Sequence, residues 1–392
     1  MINKIFLSFI SAITILLLIS CNDSPTDLGV DYLKQDGIGV YKIDSSVDSI
    51  PQQSNYFKHV ISLGSSDQLL IGRAENVTAK TLLRFGLIIP DSIKTEFVAQ
   101  NLTVIDAYIE LTKEYSFGDS NAVFDYEVYK INNSWSSSTY TADSLLTFDP
   151  VDLSSNKTIE NDSIYTFHFT TSLATNWLQN FVDTATAANN GVLLNPTANT
   201  QKVVGFTAFN INGINDPRLR IVVQKPGAYT DTLVGIISAD ISAVFGDIKN
   251  TVSEDLYIQS SLTSEAKLYF DLSVLPRDAE ISSANLTLTI DTLETKTGSS
   301  FVNSLRVYML TDSAKKEVSK DYLYTLSRSG NTFSGRVTEM FRAYSKNSSL
   351  NQGLLIKSSG ELRGVEIFAV KGSNAANLLE RPKLEIVYTR KK

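Results

Sequence analysis

The sequence predicts a mainly β protein made of two tandem β-sandwich domains of jelly-roll type, each with one short helix. Three observations support this prediction. Many short apolar strands are separated by Gly, Asn, Asp and Pro turns, which is typical of sandwiches. The same series of elements occurs twice along the chain, and each copy contains one amphipathic helical pattern. A length of 392 residues also agrees with two domains, at roughly 100–200 residues per domain.

The internal repeat is the most informative feature of the chain. In each half, an apolar strand ending in Phe is followed by a Pro turn, an alternating strand, a Val-Tyr strand, a helical pattern, a strand after Gly and a last strand after Pro. These elements lie at residues 81–85, 89–91, 107–111, 128–131, 173–181, 191–194 and 217–221 in the first half, and at residues 267–270, 275–277, 284–288, 307–310, 337–344, 353–356 and 382–386 in the second. This shared order predicts two copies of one fold.

Each repeat contains one stretch in which apolar side chains recur with helical spacing. The side chains are those of Leu173, Trp177, Leu178 and Phe181 in the first half, and of Val337, Met340, Phe341 and Tyr344 in the second. Each set falls on one face of a helix. We therefore expect each helix to cover one open end or edge of its sandwich.

The pair Pro226-Gly227 marks the predicted boundary between the halves, because Pro-Gly interrupts regular structure. This boundary assigns residues 40–225 to the first β-sandwich domain and residues 226–392 to the second. Residues 1–20 are assigned to a signal peptide, and residues 21–39 to a lipid anchor and tether.

The start of the chain has the pattern of an export signal. Lys4 provides a positive charge, and residues 5–19 form an apolar run that is too short for a membrane-spanning helix. The run ends in Ser20-Cys21, which resembles the lipobox of bacterial lipoproteins, so Cys21 is the predicted lipid attachment site. Cys21 is also the only cysteine, so an exported chain would form no internal disulfide. The alternative is an uncleaved N-terminal helix with an incidental cysteine.

A lipid at Cys21 predicts a membrane-anchored lipoprotein, with the bacterial outer membrane as the expected location. Residues 22–27 contain no apolar side chain and suit a polar tether. Both orientations, facing the periplasm or facing the outside, stay open, because lipoprotein sorting depends on residues just after the lipidated cysteine.

A series of residues in the first half resembles a known domain family. The first half contains Leu83-Arg84-Phe85, residues 107–111, Val128-Tyr129, Trp135, Trp177, Asn190-Gly191 and Pro217-Arg218-Leu219. In this order, they resemble the DNRLRE-type domain, a β-sandwich module of exported bacterial proteins. The second half matches more loosely, since Tyr269 stands in place of Arg84, no Trp follows Val307-Tyr308, and Gln352 replaces the Asn of Asn-Gly.

The resemblance covers residues 40–225 and 230–390, nearly the whole mature chain. It implies an accessory or adhesive module, and some members of the family bind acidic polysaccharide such as alginate. Residues 25–33 also resemble the start of a group of uncharacterised exported lipoproteins.

The charge balance argues against two classes of partner. The formal net charge is −7, from 35 basic and 42 acidic residues. Nucleic acids and anionic lipid surfaces both attract basic patches. We therefore expect no nucleic acid partner, and we expect contact with the membrane only through the lipid at Cys21.

No catalytic motif is evident. The sequence has no His-Glu-x-x-His, Gly-x-Ser-x-Gly or Gly-x-x-x-x-Gly-Lys pattern. The only cysteine is assigned to lipid, and His168 is expected to be a strand histidine bonded to a neighbour. A glycosidase needs only two carboxylates across a cleft, so Asp119, Asp125 and Glu127 remain formal candidates beside their interpretation as solvated acids. We expect that the protein is not an enzyme.

Two small sets of residues are candidates for ligand binding. Tyr115, Trp135 and Tyr140 lie near apparent loops, where their rings suit sugar faces, although Trp135 also suits a core position. Asn210, Asn212 and Asp216 belong to an oxygen-rich loop with Asn215, and their oxygens suit a structural Ca²⁺ ion. The alternative for this loop is a Gly-containing turn. No other cofactor is expected.

These observations favour a non-catalytic envelope or cell-surface lipoprotein that binds glycan or matrix. One alternative is a structural envelope protein that binds other envelope proteins. The second alternative is an enzyme that acts on polysaccharide.

Overall fold

The computed structural model describes residues 38–155, 163–183, 189–210, 213, 215–248, 252–277 and 279–391. The predicted signal peptide, the lipid attachment site Cys21 and nearly all of the predicted tether lie outside these residues. The candidate Ca²⁺ ligand Asn212 also lies outside them.

Antiparallel strands form about half of the described chain and helices a much smaller part, which confirms the predicted fold class. In chain order the strands are β1 (Ile38–Asp44), β2 (Gln52–Lys58), β3 (Gln68–Ala74), β4 (Val77–Leu87), β5 (Thr103–Phe117), β6 (Tyr126–Lys130), β7 (Ile164–His168), β8 (Val192–Pro196), β9 (Val203–Thr207), β10 (Arg218–Lys225), β11 (Tyr229–Gly246), β12 (Asp255–Gln259), β13 (Ser264–Phe270), β14 (Glu280–Thr289), β15 (Ser304–Asp312), β16 (Glu317–Ser329), β17 (Thr332–Arg336), β18 (Leu354–Ser358), β19 (Ile367–Lys371) and β20 (Lys383–Lys391). The helices are α1 (Asp91–Val98), α2 (Thr171–Val182) and α3 (Thr338–Lys346), with short 3₁₀ helices at Ser348–Leu350 and Leu378–Glu380.

The strands form two sheets. The first has the order β11-β10-β5-β9-β3-β4-β8-β6, with β7 beside β5 and β11 also beside β4. The second has the order β1-β20-β14-β17-β16-β15-β18-β13-β12-β19, with β2 beside β13. Long strands change partners along their length: β5 pairs with β7 up to Thr112 and with β9 from Lys113, and its pairing with β9 shifts between Lys113 and Tyr115. Such shifts allow one sheet to bend over itself and supply both layers of a sandwich. We call the two structures the first and the second sandwich.

The helices α2 and α3 confirm the two predicted helical patterns. Helix α2 buries Leu173, Trp177 and Leu178 in the core of the first sandwich. Helix α3 buries Met340, Phe341 and Tyr344 in the core of the second sandwich.

Helix α1 was not predicted. Residues 89–91 are a predicted turn, but Pro90 occupies the N-cap position of α1 and Asp91 lies in its first turn. Pro is compatible with the start of a helix because the first N–H groups have no partner within the helix.

The strand register confirms the internal repeat at the level of residue pairs. In the first sandwich Leu83 pairs with Val192, and in the second Leu268 pairs with Leu354. One strand further, Val128 pairs with Leu194, and Val307 pairs with Ile356. The residues that the sequence aligns therefore occupy equivalent places in both sheets.

The strands that precede each repeat cross to the sheet of the other repeat. Strands β1 and β2 precede the first repeat, yet they pair with β20 and β13 of the second sandwich. Strand β11 precedes β12 of the second repeat, yet it pairs with β10 and β4 of the first sandwich. Pro226-Gly227 is accordingly the turn of the β10–β11 hairpin rather than a linker, and sheet membership changes only after Gly246. Pro-Gly suits a tight turn as well as a linker.

A third apolar cluster joins the two sandwiches. It contains buried residues of both, among them Leu70, Tyr115 and Val203 from the first sandwich and Tyr257, Ile367 and Ala369 from the second. The sandwiches therefore pack directly against each other, in addition to exchanging strands.

A chain that lacks residues 1–58 should lose stability mainly in the second sandwich, because β1 and β2 contribute only to that sheet. The loss of the buried side chains Ile43 and Ile50 alone should cost about 3–6 kcal/mol. Hydrogen exchange followed by mass spectrometry should show faster exchange in β20 and β14, while β10 and β5 keep most of their protection. An equal loss of protection in both sheets would contradict the strand assignment.

Candidate ligand-binding face

The second sandwich has an outward face with a high content of basic, amide and aromatic side chains. In β13, Ala266, Leu268 and Phe270 belong to the core. Because side chains alternate along a strand, Lys267 and Tyr269 point away from that core, and both are partly exposed.

Pairing with neighbouring strands arranges this face in rows. One row contains Asn55, Lys267, Leu355 and Tyr308 on strands β2, β13, β18 and β15. The next row contains Phe57, Glu265, Lys357 and Arg306 on the same four strands. We call this surface, together with Gln53 and Tyr269, the basic face.

A groove of about 340 Å³ lies at one end of the basic face. Its lining consists of Gln53, Ser54, Asn55, Lys267, Leu268, Tyr269, Leu310, Ser313, Asn351 and Gln352. The turn between β15 and β16 forms one side of the groove, since Lys267 Nζ donates a hydrogen bond of 2.6 Å to the carbonyl oxygen of Ser313. In the same turn, Lys316 Nζ lies 3.5 Å from the centre of the Phe57 ring, a distance that allows a cation–π contact.

An ion-pair cluster supports the basic face from below. Glu265 is only 2 % exposed, and its carboxylate lies 2.7 Å from Lys357 Nζ and 3.2 Å from His59 Nδ1. Lys357 also lies 3.1 Å from the carboxylate of Glu361. Burial lowers the pKa of Lys357, but its hydrogen bond to Glu265 and the charge of Glu361 outweigh this effect, so that its pKa is raised. Lys357 thus stays charged, and the cluster holds the adjacent strands in register.

The charge of the chain is unequally divided between its halves. Residues 40–225 contain 13 Lys and Arg against 19 Asp and Glu, whereas residues 226–392 contain 20 against 19. The second half is therefore close to neutral and does not repel anions. It contains the cations Lys267, Arg306 and Lys316.

The equivalent surface of the first sandwich has a different chemistry. Lys80, Asn195 and Glu127 take the places of Glu265, Lys357 and Arg306, as the register shows. Glu127 accepts hydrogen bonds from the Tyr129 hydroxyl (2.7 Å) and from Asn195 Nδ2 (3.2 Å). Burial, with a contribution from the Glu127 hydrogen bond, raises the pKa of Tyr129 to about 12.

Trp135 covers part of this first-sandwich surface. The Arg84 guanidinium carbon lies 5.3 Å from the centre of the Trp135 ring, and Trp135 Nε1 donates a hydrogen bond of 2.8 Å to the carbonyl oxygen of Asn190. Tyr269, which is equivalent to Arg84, instead contributes to an open groove. The two repeats therefore differ at the place where the second one has a groove.

The three aromatic residues that the sequence analysis selected for sugar stacking are not open to solvent. Tyr115, Trp135 and Tyr140 are all buried and all belong to the cluster between the sandwiches. Their rings offer no free face to a sugar, because long-range packing covers the loops that carry them. For Trp135, the alternative of a core position agrees with the structure.

Two of the candidate catalytic carboxylates accept hydrogen bonds from neighbouring residues. Asp119 accepts a hydrogen bond from the Asn121 N–H (2.9 Å), and Asp125 accepts one from the Thr197 hydroxyl (2.9 Å). His168, as predicted, contacts a neighbour, since its Nδ1 lies 3.1 Å from Asp106 Oδ1.

The candidate Ca²⁺ loop contains an internal hydrogen-bond network. Asp216 Oδ1 accepts hydrogen bonds from the backbone N–H of Asn210 (3.1 Å) and from its side-chain amide (2.8 Å). This arrangement agrees with the alternative of a turn. Among the described residues, no group of three or more His, Cys, Asp or Glu side chains is placed to hold a metal ion.

In the part of the chain that the structure describes, no helix has the length and apolar character needed to cross a membrane.

No family model and no curated protein matches this chain.

The residues of the basic face are not among the predicted site residues. Lys267 and Tyr269 were recognised as members of a repeated strand, but the signal that they share a surface with Gln53 and Asn55 is the pairing of β2 with β13. That pairing joins distant parts of the sequence and has no local pattern.

Replacing Lys357 with Met should destabilise the protein by about 3–5 kcal/mol, because the buried Glu265 carboxylate would lose its closest cation. The double variant Glu265→Gln with Lys357→Met should recover most of this loss, since neither partner is then charged. Urea unfolding of the wild type and the variants measures both effects. If the single and the double variant lost the same free energy of unfolding, the loss would be due to packing rather than to the unpaired charge.

Proposed function

We propose that the protein is a non-catalytic envelope lipoprotein whose basic face binds glycan or matrix polysaccharide. The observation that carries this proposal is the groove at the end of the basic face, at a position where the equivalent surface of the other repeat is partly covered by Trp135.

The lining of the groove suits a sugar chain. Gln53, Asn55, Asn351 and Gln352 provide amides that both donate and accept hydrogen bonds, as sugar hydroxyls require. The Tyr269 ring is partly exposed and adds an aromatic surface for a sugar face.

The cations of the basic face favour an acidic chain over a neutral one. Lys267 and Arg306 lie in adjacent rows, and Lys316 lies at the neighbouring turn. Charge-assisted hydrogen bonds to carboxylates or sulfates are stronger than those to hydroxyls. The resemblance to DNRLRE-type domains points in the same direction.

The lipid anchor belongs to this proposal as well. A lipid at Cys21 would attach the chain to the outer membrane, and β1, the first described strand after Cys21, belongs to the second sandwich, which carries the basic face.

A second candidate function is contact with another envelope protein. Ile88 is 84 % exposed and Ile236 is 61 % exposed; Ile236 pairs with Gly86 of β4, and Ile88 follows the last residue of β4. Exposed apolar side chains that lie together are typical of contact surfaces.

The test is binding of the purified protein to a panel of acidic and neutral polysaccharides, with and without Ca²⁺. We expect saturable binding to an acidic polysaccharide without formation of shorter products. The substitution Lys267→Gln should weaken this binding about tenfold or more, as expected for the loss of one charge-assisted hydrogen bond.

Lys94→Gln is the matched control, because it removes one exposed positive charge from α1, which packs on the first sandwich. This variant should bind like the wild type. Absence of binding across the panel, or equal weakening by both substitutions, would contradict the proposal, and product formation would favour an enzyme.

A further inference from the structure

Polar groups around Tyr115 link the two sandwiches. Tyr115 is fully buried, and the backbone N–H of Val365 donates a hydrogen bond of 3.1 Å to its hydroxyl. The N–H of Gly364 donates a hydrogen bond of 2.8 Å to Oε1 of Gln68. Tyr115 and Gln68 belong to the first sandwich, and residues 364–366 precede β19 of the second, so these bonds cross the interface.

Glu366 places a carboxyl group in the same contact. It is 3 % exposed, and its Oε1 atom has no hydrogen-bond partner among the residues that the structure describes. The nearby cation Arg363 is engaged elsewhere, because it pairs with Asp67 at 3.0 Å and with Glu114 at 3.5 Å. Within the described chain, Glu366 forms no ion pair.

The carboxyl group is tightly enclosed. A Cβ atom on Gly364 would lie 2.4 Å from the carboxylate oxygens of Glu366, and one on Gly298 would lie 2.2 Å from the Tyr115 ring. Glycine at position 298 therefore lets the second sandwich approach Tyr115 closely, and glycine at position 364 leaves room for the Glu366 carboxyl. The close fit leaves little space for a cationic side chain beside the carboxyl.

An ionised carboxylate in such a place is unfavourable, because it loses its water without gaining a cation. Burial accordingly raises the pKa of Glu366, although the polar groups of Tyr115, Ser260 and Gly298 beside the carboxyl oppose the shift. Burial also raises the pKa of Tyr115, which therefore stays neutral. The groups that face the carboxyl are thus uncharged, while Arg363 and its two acidic partners lie beside it.

We propose that Glu366 is a pH-dependent lock between the two sandwiches, in which its protonated carboxyl allows the interface to close and its ionisation loosens the interface. None of the residues that form this lock belongs to the basic face. Each sandwich keeps its own core when the interface loosens, because the core clusters of the two sandwiches are separate from the one between them.

The sign of the effect follows from the raised pKa. Protonated Glu366 stabilises the closed interface fully below the ordinary glutamate pKa of 4.5. This stabilisation is lost as the pH rises through the raised pKa of Glu366, because water solvates the ionised carboxylate only in the open form. The interface should therefore be tighter in mild acid than in mild alkali.

Hydrogen exchange of the full-length protein, followed by mass spectrometry, measures how tightly the interface is closed at each pH. Peptides covering residues 112–118 and 362–368 report on the interface, and a peptide covering residues 284–288 reports on the core of the second sandwich. Between about pH 5 and about pH 9, we expect interface protection to fall about tenfold or more relative to core protection, after correction for intrinsic exchange.

Glu366→Gln and Glu366→Met remove the charge, so both variants should keep a constant ratio of interface to core protection across this range. Two variants are used in case one of them does not fold, which the core peptide reveals. Glu361→Gln is the matched control, because that carboxylate lies nearby in sequence but pairs with Lys357, and it should respond to pH like the wild type. A constant ratio in the wild type, or a pH response in the Glu366 variants equal to that of the wild type, would overturn the proposal.

Discussion

The exchange of leading strands between the two repeats is the constraint on which the rest of the structure depends. Strand β2 completes the sheet of the second sandwich at β13, and β11 completes the first sheet at β4. Neither sheet reaches its full width with the strands of one repeat alone. The basic face depends on the same exchange, because Gln53, Asn55 and Phe57 all come from β2. The candidate site is thus formed by residues that precede the first repeat and residues of the second.

The sequence predicted the features that have a local or a repeated pattern. The helical spacing of Leu173 and Trp177 predicted α2, and the aligned strands proved to have matching registers. The exchange of strands was not predictable, because Pro226-Gly227 gives the same local signal in a hairpin as in a linker. Helix α1 was missed for a similar reason, since Pro90 suits both a turn and a helix start. The candidate site could not be predicted, because exposure of an aromatic ring such as Tyr115 depends on packing between distant elements.

The comparison of the two repeats shows how one framework supports two surface chemistries. Equivalent positions carry Lys80 and Glu127 in one sandwich but Glu265 and Arg306 in the other. The second repeat also lacks a Trp after Val307-Tyr308, and the Trp of the first repeat at this place, Trp135, is the residue that packs over Arg84. The missing Trp is therefore a physical reason why the groove beside Tyr269 stays open.

Strand β2 provides a physical connection between the basic face and the interface of the sandwiches. Phe57 lies in a row of the basic face, and the next residue, Lys58, donates a hydrogen bond of 3.0 Å from Nζ to the carbonyl oxygen of Gly246 in the first sandwich. His59 then contacts Glu265, which holds Lys357 below the face. Loosening of the interface would act first on this end of β2, since its last residues bond to both sandwiches.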